Sequence, residues 1–398
     1  MITRYRQQYN EQFTVERYEQ MLAFIAETYG HHPKFRVAET PVFVPNGLKE
    51  KLHAASDDIL KTLLRPDFKA LSESAIPSHL RVPGETPHTT FLQLDFGICQ
   101  DENGEYYPQL VELQGFPSLY FWQDAVARAY RKFFSIPDQF THLFGGMTSE
   151  DYIAMLRKVI MGDSRPENVV LLEVEPKKQN TAIDFYISRH DIGLEFVCIS
   201  EVKKEGKDLY YIKDGKKIGI ERIFNRVIFD ELHRRDDLKR GFEITDEINA
   251  HWVGHPNWFF RISKHTLPHL DSPYVPKSYF LSDLNEAPAD LGHYVMKPLF
   301  SFSGQGVIIN PTKADFDAVK DRSNFILQRK MEYAPVIQTP NEPAKCEMRM
   351  MFLWEDGAER PHLVNNLIRL SKGEMVGVRY NKDKDWVGGS VGFYEGSI

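Results

Sequence analysis

Apolar residues recur at helical spacing near the start of the chain. Tyr18, Met21, Leu22, Ile25 and Tyr29 share one face, Thr14 can cap and Gly30 can end the segment, so a helix is predicted over 14–29. A second apolar stripe, Leu48, Leu52, Ala55, Ile59 and Leu63, predicts a helix from Asn46 to about Leu64, stopped by Arg65-Pro66. The period then changes to two. Leu92, Leu94, Phe96 and Ile98 alternate with Phe91, Gln93, Asp95 and Gly97, and Val111 and Leu113 alternate with Leu110, Glu112 and Gln114. Asn103-Gly104 lies between the two stretches and predicts a tight hairpin over 91–114, with Asp95 opposite Glu112 and Gln93 opposite Gln114. Helices are expected over about 122–135 and 148–161.

The Gly/Asp/Ser/Pro patch 161–166 marks a first boundary. Beyond it, strand 169–174, helix 181–190 and strand 194–199 suggest a small α/β module. No Gly-x-Gly-x-x-Gly follows its first strand, so a dinucleotide-binding fingerprint is missing. Six lysines between Lys203 and Lys217 read as a solvated hairpin face. From about Pro256 the pattern gives strands at 294–298, 307–309, 324–329 and 347–354, a helix at 312–320, and a closing pair near 363–370 and 374–379.

Composition narrows the function classes. Hydrophobic residues make up 42%, charged residues 26% and aromatics 13%, the proportions of a soluble globular chain. A net charge of −7 gives no global basic field for a nucleic-acid backbone. Cys99, Cys198 and Cys346 are far apart, sit in apolar runs and form no Cys-x-x-Cys, which points to buried thiols rather than zinc or disulfides. No apolar run suits a signal peptide or a membrane span, so a cytoplasmic protein without a membrane partner is expected. No serine sits in a Gly-x-Ser-x-Gly elbow.

The candidate chemistry concentrates in the last third and in the hairpin. Lys297 ends the strand 294–298, and Ser303, Gly304, Gln305 and Gly306 follow in a loop whose amides can lie over phosphates. Lys264 lies upstream; Gln328 lies at the end of the strand that follows, which leads into Glu332. Each has a plain alternative: a hairpin turn for the loop, a strand end for Gln328, a solvated acid for Glu332.

The order of these pieces resembles the ATP-grasp superfamily, and most closely the circularly permuted branch typified by the synthetase domain of glutathionylspermidine synthetase. The residues that carry the resemblance are Lys264, YVMKPLFSFSGQGV (294–307), FILQRKMEY (325–333), NLIRLSKGEMVGVRYN (366–381) and, near the front, LDFGI and VELQGFPSL. It covers roughly 85–398. The resemblance implies that Lys264 and Lys297 clamp ATP phosphates, that 303–306 close over them and that Gln328 and Glu332 belong to the hinge that meets adenine. It also implies that Asp95, Glu112 and Gln114 hold Mg²⁺ and that Arg369 takes a catalytic role on the transferred phosphate. An ordinary salt-bridge role for Arg369, and a solvated hairpin face for the acids, stay open beside it. Two positions depart from the family pattern. Gln114 replaces an Asn but keeps a carbonyl oxygen for the metal. Gln93 stands where an Arg often precedes the Asp, which removes a charge from the handling of the acyl phosphate.

The expected fold is therefore α/β (α+β), ATP-grasp-like and circularly permuted. It divides into a region 1–165 carrying the metal-ligand hairpin, a small α/β substrate-side module 166–255 and a nucleotide-binding region 256–398. The expected function is an ATP- and Mg²⁺-dependent ligase joining a small-molecule or peptide-like carboxylate to an amine, releasing ADP and phosphate. A phosphotransferase, or a nucleotide-binding protein without turnover, is the alternative. The resemblance also suggests that the segment 223–226 borders the substrate cleft, and a buried ion pair at Arg226 stays open beside that reading.

Overall fold

A computed structural model describes all residues of the chain except 230, 231, 233, 234, 301–303, 374, 375, 377–380, 382, 397 and 398. Its helices end where the local chemistry demands. Thr14 accepts from the Arg17 amide at 3.2 Å to open Val15–Tyr29, and Gly30 closes it at φ 69°. The helix Asn46–Leu63 buries the whole Leu48–Leu63 stripe against one face of the central sheet. Tyr120–Phe133 and Ser149–Met161 also form. The helix Thr3–Gln12 lacks an apolar stripe that could announce it: only Arg6 and Tyr9 are buried, and both are fixed by the distant segment 39–41.

The central sheet has five strands in the order Gly388–Ser390, His362–Ser371, Lys345–Leu353, Phe91–Gln100, Tyr106–Gln114, all antiparallel. The front hairpin thus completes a sheet whose other strands lie at the far end of the chain. The second strand of the expected closing pair, 374–379, falls largely outside the described residues. The core of 166–255 is a parallel sheet in the order His251–Val253, Arg222–Asn225, Val169–Glu173, Glu195–Cys198, with Ala182–Ile192 as a crossover helix. A third, antiparallel sheet runs Ser278–Phe280, Phe325–Arg329, Tyr294–Pro298, Ile308–Ile309. Val42–Val44, Gly392–Glu395 and Phe140–Thr141 form a small sheet joining segments remote in sequence. The lysine-rich stretch is a three-stranded antiparallel sheet, and Lys204, Lys207, Lys213 and Lys217 pair with acids. All three cysteines are buried and free.

The hairpin corrects one expectation while keeping its consequence. The turn is wider than two residues: Asp101 Oδ1 accepts from the Asn103 and Glu105 amides at 2.9 and 2.8 Å, and Gly104 alone takes a positive φ, 82°. That loop would misalign the strands by one. Val111 bulges out of the ladder and restores the register, so Asp95 still faces Glu112 and Gln93 still faces Gln114. Neither face of Phe91–Gln100 is solvated; Gln93 and Asp95 are as buried as the leucines between them.

Candidate functional site

One cavity of about 1360 Å³ lies between the central sheet, the parallel sheet and the third sheet, the antiparallel one that contains Tyr294–Pro298. Lys264, Lys297, Glu112, Gln114, Gly304, Gln328, Glu332 and Arg369 all line it, so the structure gathers most of the expected site. Gln305 and Gly306 lie on the adjoining turn and are exposed; Ser303 falls outside the described residues.

Local structure explains how Lys264 arrives. The helix Asn257–Arg261 packs so closely on the hairpin end that a Cβ on Gly115 would lie 2.5 Å from the Trp258 carbonyl oxygen. The Gly115 amide then donates to the Ile262 carbonyl at 2.9 Å. Ser263 caps the 3-10 turn Lys264–His269, accepting from the His265 amide at 3.2 Å. Lys264 Nζ thereby comes to 3.6 Å from Glu112 Oε2. Lys297 is placed by the antiparallel sheet, where Gln328 lies one strand away. Its Nζ donates to Gln328 Oε1 at 2.5 Å and to the Val111 carbonyl at 3.1 Å. The bulge at Val111 therefore aims a carbonyl at the lysine as well as correcting the register. Gln328 is 1% exposed, and its Nε2 has no partner among the described residues.

The charges set one another. Burial, against the pull of Glu112, lowers Lys297 from 10.5 to about 8, and Lys264 adds to the lowering. Burial opposes ionisation of Glu112, but Lys264, Arg369, Lys297 and Arg349 outweigh it and hold this carboxyl well below its ordinary range. Burial, opposed by Arg369, pushes Glu347 up, and nearby Asp95 and Glu112 add to the push.

Asp95 keeps its expected place opposite Glu112 but has other partners than the resemblance implies. It does not line the cavity, its side chain is 1% exposed, and both oxygens are engaged. Arg349 Nε and Nη2 donate to Oδ1 and Oδ2 at 2.5 and 2.6 Å, and Arg369 Nη2 donates to Oδ2 as well. A carboxylate neutralised by two guanidiniums has little left to offer a divalent cation, so a ligand role does not fit this arrangement. Glu347 occupies the cavity wall instead. Its Oε1 pairs with Arg369 at 2.9 Å, its Oε2 accepts from Tyr333 Oη at 3.1 Å, and it faces the field of Glu112. The residues that fit a cation are Glu112, Glu347 and Gln114, oxygen donors with two carboxylates pressing on each other. Among the described residues no cluster of three or more His, Cys, Asp or Glu side chains suits a metal, and this set holds only two.

The sequence pattern predicts a strand over 347–354 and gives Glu347 and Arg349 no role. The alternation of the strand Lys345–Leu353 puts 347 and 349 on one face, but only the pairing Glu347↔Arg369 and Arg349↔Asp95 brings them into the site. Arg226 also lines the cavity, 3% exposed, over the rings of Phe116 and Phe185 at 4.9 and 5.5 Å. Its Nε and Nη1 have no hydrogen-bond partner among the described residues.

This architecture is a glutathione synthetase-like fold of the ATP-grasp type. Among solved structures, a glutathione synthetase-like effector from Globodera pallida, determined in its apo form, is similar over its full length. The TM-score is 0.59 at 12% identity, covering 97% of this chain and 98% of that one. No protein-family model and no curated protein matches the chain. No helix among the described residues is long and apolar enough to cross a membrane.

Proposed function

We propose that the protein is an ATP-dependent carboxylate–amine ligase of the circularly permuted ATP-grasp type. The observation that carries this reading is the pair of buried lysines, Lys264 and Lys297, set about Glu112 in one cavity with Glu347. Such an arrangement suits the triphosphate of ATP and an accompanying Mg²⁺ better than either an ordinary ion pair or a solvated hairpin. Glu112, Glu347 and the carbonyl of Gln114 would hold Mg²⁺, which supplies charge neutralisation at the phosphates. Lys264 and Lys297 each offer a charge-assisted contact to phosphate oxygens, and the turn at Gly304 would lie over them.

The chemistry follows from the charged groups that share the cavity. Arg226, buried with Nε and Nη1 lacking a hydrogen-bond partner among the described residues, suits the carboxylate of an anionic, peptide-like substrate. A substrate carboxylate oxygen attacks the γ-phosphorus, the bond from that phosphorus to the β-bridging oxygen breaks, and ADP leaves with the electron pair. An amine then attacks the carbonyl carbon, phosphate departs with its bridging oxygen, and the amine gives up a proton. Arg369 would face the transferred phosphate. The protein contributes positioning and charge.

The test is ADP release from ATP across pools of carboxylates and amines. Release that requires both supports a ligase. Release with a carboxylate or alcohol alone, leaving a stable phosphorylated product, supports the phosphotransferase. Nucleotide binding with no release under any condition supports a binding protein without turnover.

A further inference from the structure

The charge missing at Gln93 is present on the neighbouring strand. Arg349, opposite Asp95 in the sheet, holds that carboxylate through Nε and Nη2 and donates from Nη1 to Gln93 Oε1 at 2.7 Å. Gln93 Nε2 in turn donates to the Ser118 carbonyl at 2.9 Å. The position needs a carboxamide: it must accept from a guanidinium on one side and donate to a carbonyl on the other. An arginine there could do only the second and would set a like charge beside Arg349.

Three of the five N–H groups of Arg349 are thus engaged, and the remaining two, on the terminal nitrogens, have no partner among the described residues. Arg349 lines the cavity, whereas Gln93 and Asp95 do not. Its charge is felt by both Glu112 and Arg226, which line the same cavity. On the ligase reading, on which this inference rests, the terminal phosphoryl group and the attacking carboxylate meet in that cavity.

We propose that Arg349 is a catalytic residue that grips the transferring phosphoryl group, and that Gln93 is the positioning residue that holds its guanidinium in place. Asp95 completes the bracket from beneath. The unit replaces an arginine on the strand Phe91–Gln100 by one on the strand Lys345–Leu353.

The test compares two titrations by calorimetry: ADP with Mg²⁺, and ADP with Mg²⁺ and aluminium fluoride, a planar mimic of the phosphoryl group in flight. Arg349→Lys keeps a charge beside Asp95 and so keeps the fold, which circular dichroism checks, but loses the planar fork. It should leave ADP affinity within about threefold and weaken the fluoride complex by ~10- to 150-fold, as should Arg349→Gln where it folds. Gln93→Arg alone should weaken the fluoride complex as well, by crowding two guanidiniums. The exchange Gln93→Arg/Arg349→Gln should recover most of that loss, which a merely structural role for either residue would not produce. Equal weakening of both titrations, or an unchanged fluoride complex in Arg349→Lys, overturns the proposal. A parent that binds ADP but gains nothing from the fluoride also overturns it. A parent that binds no ADP overturns the nucleotide reading beneath it.

Discussion

Replacing Lys297 with methionine removes one buried charge while nearly keeping the side-chain volume. In the parent, that ammonium bonds Gln328 Oε1 and the Val111 carbonyl, and burial brings it from 10.5 to about 8. A phosphate in the cavity supplies the counter-charge that burial withholds. One charge-assisted contact of this kind contributes ~1.5–3 kcal/mol, so Lys297→Met should weaken ATP binding by ~10- to 150-fold. The pH profile gives an independent signature. The bound phosphate favours the protonated lysine, so above about pH 8 the free protein must take up a proton to bind. Parent affinity should then fall with rising pH, by up to ~10-fold per pH unit, and the variant should lack that step. Folding stability moves the other way. An unfolded lysine titrates near 10.5, so between about 8 and 10.5 the unfolded chain binds more protons, and this residue's contribution to stability rises with pH. Calorimetric titration of ATP–Mg²⁺ between about pH 7 and about pH 9, with urea melts at the same pH values, measures both. A variant that binds ATP as tightly as the parent, or a parent affinity independent of pH, refutes the reasoning.

Asp95→Asn should destabilise the metal-free protein by ~3–5 kcal/mol in urea unfolding, because it breaks a buried pair with Arg349; a stabilised variant would instead mark Asp95 as one of two repelling carboxylates. Glu347→Gln should abolish the Mg²⁺ dependence of ATP binding while leaving the metal-free affinity nearly unchanged, and an unaltered Mg²⁺ titration would remove Glu347 from the candidate set. Gly115→Ala, whose Cβ would press on the Trp258 carbonyl, should cost ~1–3 kcal/mol of stability and shift Lys264 from Glu112. Unchanged stability and ATP affinity in that variant would show that the contact is not needed. Turnover should yield ADP and phosphate; AMP and pyrophosphate in stoichiometric amounts would place the chemistry at the α-phosphorus and contradict the lysine clamp.

Much of this fold is legible along the chain because its signals are local. The stripe Leu48–Leu63, the cap at Thr14 and the alternation over 91–114 each depend on residues within a turn or a strand of one another. The same holds for Lys297 and the strand that carries Gln328, whose order along the chain carried the ATP-grasp resemblance. Even the pairing of Asp95 with Glu112 follows from the hairpin, although it is reached by a wider turn and a compensating bulge at Val111 rather than by a tight turn.

What the tertiary structure decided is which charges meet. Period-two alternation puts Asp95 on one face of its strand but cannot say whether water, a cation or two arginines covers that face. The answer came from the strands Lys345–Leu353 and His362–Ser371, some 250 residues away, whose register sets Arg349 beside Asp95 and Arg369 beside Glu347. That pairing turned an expected metal ligand into a buried counter-ion and put Glu347 on the cavity wall. The role of an ionisable side chain depends on the summed field and solvent access at its position. Both are properties of strands that neighbour one another only after folding, so the residue types are written locally and their chemistry is not.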